Sequence, residues 1–278
     1  MAGEPPVTLP RTAWWDMQAG KDPGHVHRIL LAWPEGEPPP GGLPVLFLAD
    51  GNATFATAVE AARTRARLWR DAAADVAPAV IVGLGHPGPG PYDRAARSRD
   101  YTPRADAAPE GTGGADAFLD FITDTLLPEL ERRLPLDRAR MALFGHSLGG
   151  LLALHALFTR PALFRRIVAA SPSLWWADGA PMAMAERFAA SPPPEAKGTG
   201  LHVMVGGLEE TDDGTPRGAR RAERRMVTRA RDLAALLRGR ISPLGFVEFA
   251  GENHGSVVPA AISRALPFAL PPDPERPA

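Results

Sequence analysis

The sequence predicts a mostly parallel β-sheet with helices packed on both faces. Three observations carry that prediction. Short runs at 43–49 (LPVLFLA), 77–84 (APAVIVGL) and 201–205 (LHVMV) are apolar nearly throughout, as strands buried on both faces must be. They alternate with longer segments of helical period, notably 115–134 and 217–238, and such alternation builds parallel sheets through crossover helices. Glycine and proline are abundant but fall mainly between the apolar runs and at the two ends, where chain punctuation belongs. A chain of 278 residues has room for one large α/β domain or two small ones. No internal repeat divides it, so a single domain is expected over 25–270, with an arm at 1–24 and a fraying, disordered tail at 271–278.

Taken in order, residues 1–24 carry Pro5, Pro6, Pro10 and the pair Trp14-Trp15, and read as an irregular or edge-strand arm anchored by the tryptophans. The partly alternating run 25–33 (HVHRILLAW) reads as an early strand. Its two histidines are expected at the surface of a sheet edge rather than on a metal, because no third ligand lies nearby in sequence. The buried run 43–49 ends in a turn, Asp50-Gly51-Asn52. Residues 53–77 have a helical pattern with Phe55, Val59, Ala62, Leu68 and Trp69 in the apolar set. Residues 85–110, rich in Gly, Pro, Arg and Asp, show no period and read as a long loop. A structureless stretch of that length in a compact domain usually serves a site. The amphipathic helix at 115–134 contains Pro128, which predicts a kink or a split. Strands follow at 137–144, 164–170, 201–205 and 244–249, and helices at 148–158, 181–190, 217–238 and 257–270.

Composition excludes several classes of function. The net charge is −1, which offers no basic footprint for nucleic acid. No apolar run reaches the roughly 18 residues of a membrane span. Cysteine is absent, so disulfides and thiolate metal sites are excluded. Residues 1–24 lack the basic, apolar, small-residue order of a secretory signal, and the chain reads as cytoplasmic, or periplasmic if a signal was trimmed.

The chemistry centres on 141–150 (MALFGHSLGG), an apolar strand end, then G-x-S-x-G, then the start of an apolar helix. In that setting the motif is a nucleophile elbow. Glycines flank Ser147 because so sharp a turn leaves no room for side chains at 145 and 149. The following helix begins beneath the serine, and its free N–H groups suit a developing oxyanion. A serine hydroxyl needs a base, and the base an orienting acid. Active groups in α/β sheets gather at the carboxyl ends of strands. His254, in 251–256 (GENHGS) just past the last strand, is the base by chain order and position. His146 abuts the serine and is grouped with the substrate-binding residues. His155 lies along the elbow helix, and His202 sits at the entry of a strand. The acid belongs after the strand ending at Val205, where Glu209, Glu210, Asp212 and Asp213 crowd together. Glu209 is chosen as the nearest to the strand end, with Asp178 a further alternative and a Ser–His pair without an acid another. Leu148 and Asn52 are the expected backbone donors of the oxyanion hole.

The segments DGN (50–52), RSRDYTP (97–103), GHSLGG (145–150), SPSLWW (171–176), VGGLEE (205–210) and GENHGS (251–256) together resemble the Putative esterase family of α/β-hydrolases. That group includes siderophore (ferric enterochelin) esterases, feruloyl and acetyl xylan esterases, S-formylglutathione hydrolase and mycolyltransferases. RSRDYTP and SPSLWW point to the enterochelin-esterase-like branch. The resemblance covers roughly residues 25–265. It implies an α/β-hydrolase fold and a serine carboxylic-ester hydrolase acting through an acyl-enzyme, with Ser147 as nucleophile, His254 as base, Glu209 at the acid position, and Asn52 and Leu148 as oxyanion donors. No cofactor and no metal are implied. The partner is a small-molecule ester, with siderophore catecholate lactones or other aromatic esters the candidates. Arg94, Arg97 and Arg99 in the long loop, with Trp175 and Trp176, have the chemistry to hold an anionic aromatic ester. They have an alternative structural use, Arg99 pairing with Asp100 and the tryptophans packing in the core. The competing functions are acyl transfer or an S-formylglutathione-type thioesterase on the same fold, and a non-catalytic iron-chelate binder.

Overall fold

The computed structural model describes residues 5–20, 24–68 and 75–272. Among the described residues eight strands form one sheet: β1 (Thr12–Gln18), β2 (Val26–Ala32), β3 (Leu43–Ala49), β4 (Val80–Gly85), β5 (Leu136–His146), β6 (Arg166–Ala170), β7 (Gly200–Gly206) and β8 (Leu244–Phe249). Their spatial order is β1-β2-β4-β3-β5-β6-β7-β8. The first two pairings, β1 with β2 and β2 with β4, are antiparallel, and all the others are parallel. The apolar runs dictate this placement. Every residue of β3 and of β4 is buried, as fits the inside of a sheet covered on two sides. Two cores lie on opposite faces. One contains Phe47, Leu143, Leu152 and Val203, and the other Leu48, Phe144, Val168 and Met204, the alternation that period two requires.

Helices α1 (Gly51–Leu68) and α9 (Val257–Ala269) pack together on one face. On the other lie α5 (Leu148–Thr159), α6 (Trp176–Ala190) and α8 (Met226–Leu237). The expected mostly parallel sheet with helices on both faces is therefore the observed architecture.

Local departures have physical reasons. The arm forms the edge strand β1, one of the two forms expected of it, so the 25–33 run lies inside the sheet and not at its edge. The turn expected at 50–52 is already the first turn of α1, with Asp50 in the left-handed region at φ 54°. Trp69 and residues 273–278 lie outside the described residues. The 85–110 loop contains a short helix, α2 (Arg94–Asp100), capped by the Asp93 side chain, which accepts from Ala96 N–H at 2.9 Å. Pro128 splits the 115–134 helix into α3 (Ala115–Asp120), a π-helical stretch (Phe121–Leu126) and α4 (Leu127–Arg133), the wider turn accommodating the missing N–H. The helix expected at 217–238 is two, α7 (Pro216–Glu223) and α8, parted at Arg225 with φ 48°.

Candidate active site

Parallel register lines up the carboxyl ends of five strands. Leu48 pairs with Phe144, His146 with Ala170, Ala170 with Met204 and Gly206 with Phe249. The residues that leave this row, Asp50, Ser147, Ser171 and Glu209, build the site. The row itself is anchored by burial. Leu143 and Phe144, 0% and 1% exposed, each contribute about 1.5–3 kcal/mol of apolar transfer.

Ser147 stands between β5 and α5 with φ 60° and ψ −116°, a strained backbone for a residue with a Cβ. The glycines around it are sterically required. A Cβ at Gly145 would lie 1.9 Å from the Gly149 carbonyl oxygen, and one at Gly149 would lie 2.9 Å from the Ala49 Cβ. The turn is held by Ser147 N–H donating to the Ala170 carbonyl at 3.0 Å, and by the Ser147 carbonyl accepting from Leu151 at 3.0 Å and Ser173 at 3.2 Å. The Ser147 hydroxyl lies 3.4 Å from that of Ser173. Leu148 opens α5, so its N–H belongs to a first turn, which has no intrahelical acceptor.

Residues 45 positions apart meet past the carboxyl ends of β7 and β8. Glu209 is 1% exposed, and its Oε2 lies 2.5 Å from His254 Nδ1. Its Oε1 accepts from Gly206 N–H at 2.7 Å and from the Ser171 hydroxyl. Backbone bonds zip the two loops together: Gly207 N–H to Phe249 at 2.8 Å and Leu208 N–H to Glu252 at 3.0 Å. Gly206 allows the approach, since a Cβ there would lie 2.5 Å from the Glu252 carbonyl. With Nδ1 engaged by Glu209, Nε2 is the nitrogen of His254 left for a reacting hydroxyl. The buried His146 ring packs on His254 with centroids 4.5 Å apart. Burial first, then the neighbouring His254 and Arg97, pushes His146 well below the ordinary imidazole range, so it is neutral.

The competing acids are engaged elsewhere. Glu210 accepts from the Thr228 N–H and hydroxyl at 2.7 Å, Asp212 accepts from Gly214 N–H and Asp213 from Thr215 and Arg221. Asp178 lies in a left-handed stretch with Ala177 and Gly179 inside α6.

The loop after β3 is braced from the 85–110 segment. Arg97 makes two 2.8 Å bonds to the Asp50 carboxylate. Asp50 N–H donates to the Tyr101 hydroxyl at 3.0 Å, which donates to the Leu84 carbonyl at 3.1 Å. Asn52 lies in the first turn of α1. Its side chain exchanges bonds of 3.1 Å with the backbone of His86 and reaches the Gly90 carbonyl at 3.3 Å. Asp50, Tyr101, Ser171 and Ser173 were not singled out from sequence. All four lie within the DGN, RSRDYTP and SPSLWW segments, which is the available signal.

The expected substrate residues divide. Arg97, its side chain 14% exposed, is taken up by Asp50 and lies over the rings of Tyr92 and Tyr101. Arg99 pairs with Asp100 at 2.7 and 3.2 Å. Trp176 is buried at 5% exposure, whereas Trp175 is partly exposed with the Arg224 guanidinium 4.3 Å from its ring. His25 and His27 overturn the surface expectation. His27 is fully buried, and both histidines face Asp100, 75 residues from His25. Sequence distance hid this third group because it arrives from the end of α2, which follows β4, the strand paired with β2.

A strained serine between strand and helix, with an acid-bound histidine past the last strand of this sheet, defines an α/β-hydrolase. The Putative esterase family model matches residues 22–267. The chain belongs to that family and is a carboxylic ester hydrolase. It is 39% identical to the siderophore triacetylfusarinine C esterase of Aspergillus fumigatus, over 94% of each chain. It is 36% identical to the ferri-bacillibactin esterase BesA of Bacillus subtilis, over 92% of this chain and 89% of that one. The structure of siderophore hydrolase EstA from Aspergillus nidulans superposes with a TM-score of 0.83 at 33% identity, covering 96% and 98% of the two chains. Among the described residues no helix is long and apolar enough to cross a membrane.

Proposed function

We propose that this chain hydrolyses ester bonds of a siderophore through an acyl-enzyme on Ser147. The observation that carries the mechanism is the 2.5 Å contact between His254 Nδ1 and buried Glu209 beside the elbow. The substrate class rests on the names of relatives matched along nearly the whole chain. In the first step His254 Nε2 takes the Ser147 proton as Oγ attacks the ester carbonyl, and the Leu148 and Asn52 N–H groups hold the oxyanion. The C–O bond then breaks and His254 returns the proton to the leaving alcohol. Water, deprotonated by the same nitrogen, then attacks the acyl carbonyl, the bond to Ser147 Oγ breaks as His254 returns that proton to it, and the acid leaves. Glu209 orients the ring and stabilises the imidazolium. Arg97 holds Asp50 and, through it, the oxyanion loop. Trp175, Arg99, His146 and Trp176 shape the substrate side, Trp175 and Arg99 by contact and the buried pair by packing.

The test pairs a short p-nitrophenyl ester with a catecholate and a hydroxamate siderophore ester, with products identified by mass. Wild type gives free acid and alcohol, and Ser147→Ala gives neither while keeping its circular dichroism. Unchanged turnover in Ser147→Ala removes the nucleophile assignment. New esters formed from an added alcohol would redirect the reaction to acyl transfer, and binding without product would mark an iron-chelate carrier.

A further inference from the structure

Away from the triad, a second group of titratable side chains is built into the fold with no part in ester cleavage. Asp100 is 1% exposed and sits at the end of α2. His25 Nε2 lies 3.1 Å from its Oδ1, and His27 Nδ1 lies 3.8 Å from its Oδ2. The H-x-H spacing places both imidazoles on one face of the strand, and their rings are 4.8 Å apart. One potential ligand atom from each of the three residues lies within 4.8 Å of the others.

His27 is the anomaly. It is fully buried against Phe118 and Phe121, and neither ring nitrogen has a hydrogen-bond partner. A buried unpaired polar atom costs about 1–3 kcal/mol, and an ion is one of the few things that removes the cost. The geometry points to a divalent transition-metal site, of zinc chemistry, formed by His25, His27 and Asp100. Two imidazoles and a carboxylate are a zinc donor set. A tetrahedral ion with ligands at about 2.0–2.1 Å separates its donors by about 3.3 Å, so small ring movements close the site. His25, with 21% of its side chain exposed, provides the entry path. His25 keeps its proton by moving it to Nδ1 when Nε2 takes the metal.

The surroundings are those of a ligating carboxylate. Asp100 accepts from His86 Nε2 at 2.9 Å and from Arg99 at 2.7 and 3.2 Å, outer bonds that orient the ligand. An ion here would fasten β2 to the end of α2. Asp100 precedes Tyr101 and lies three residues from Arg97, the two side chains that brace Asp50, so occupancy would stiffen the oxyanion loop.

The experiment strips the full-length chain with a chelator, then titrates it with ZnCl2 by calorimetry and with CoCl2 by visible absorption. Wild type binds one equivalent and gives the absorption of tetrahedral cobalt. His254→Ala, which removes the exposed imidazole of the triad, binds equally well. His25→Ala, folded by circular dichroism, and His27→Gln each weaken binding by about 100-fold or more, at or beyond the upper end of the 10–100-fold typical of losing an outer partner. Absence of saturable binding in wild type overturns the proposal. So does undiminished binding in His25→Ala, or binding lost in His254→Ala, which would place the ion at the triad.

Discussion

Two buried carboxylates organise histidines in this molecule, and their different neighbours give them different chemistry. Glu209 and Asp100 are each 1% exposed. At Glu209 the oxygen not facing His254 takes neutral donors, the Gly206 N–H and the Ser171 hydroxyl. One imidazole is thereby left to answer the carboxylate, and that ring is partly open to solvent, with 44% of its side chain exposed. At Asp100 a guanidinium and two imidazoles already bond to the oxygens, and the third imidazole, His27, is fully buried. Burial alone would raise the Asp100 carboxyl, but the bonds from His86 and Arg99 outweigh it and hold it at about 2. Burial likewise pushes His27 down to about 3, against the opposing pull of Asp100. A lone acid beside an accessible base suits the proton shuttle proposed above. An acid crowded by donors, with one imidazole fully buried, suits the ion-binding node proposed at Asp100.

The contrast is tested most severely at the triad. Ser147→Ala should lower kcat on any ester by about 10^4-fold or more, measured by burst and steady-state release of alcohol. Glu209→Gln should lower kcat by about 10^3–10^4-fold with little change in KM, because the His254 tautomer is lost while the fold remains. If Asp100→Asn gave an equal loss, the two carboxylates would not differ in role. Arg97→Ala releases Asp50, and a fall in kcat of about 10–100-fold is expected, short of the 10^2–10^3-fold for deleting an oxyanion donor outright. Arg97→Lys should recover part of it, and an effect confined to KM would return Arg97 to substrate binding.

The smallest effect is on stability against pH. Because the folded pKa of His27 is depressed, the unfolded chain binds the extra proton between about pH 6.5 and 3. Stability therefore rises with pH across that window, by at most about 1.4 kcal/mol per unit. His27→Gln should flatten the slope in urea melts taken at several pH values. The Asp100 contribution overlaps the low end of that window and runs on below it, present above the ordinary carboxyl value and lost as pH falls through about 2.

Much of this was readable in advance where the chemistry is local. The strand–G-x-S-x-G–helix segment specifies its own turn, because side chains at 145 and 149 would collide with backbone and with Ala49. Chain order and strand ends brought Glu209 and His254 forward for the same reason, since parallel strands deliver their following loops to one rim. The helix breaks were harder. Pro128 announced one, but the left-handed Arg225 that divides α7 from α8 carries no residue signal, arginine having no preference for φ 48°.

The sheet, the elbow and the order of the reacting groups follow from period, burial and short-range sterics, and a reader of the residues alone can reach them. Which charges meet emerges only once the chain is folded. Arg97 turned out to grip Asp50, and His25 and His27 to surround Asp100, through approaches between segments 47–75 residues apart. Pairings at that range depend on how helices and loops settle across the sheet, and no local pattern encodes them.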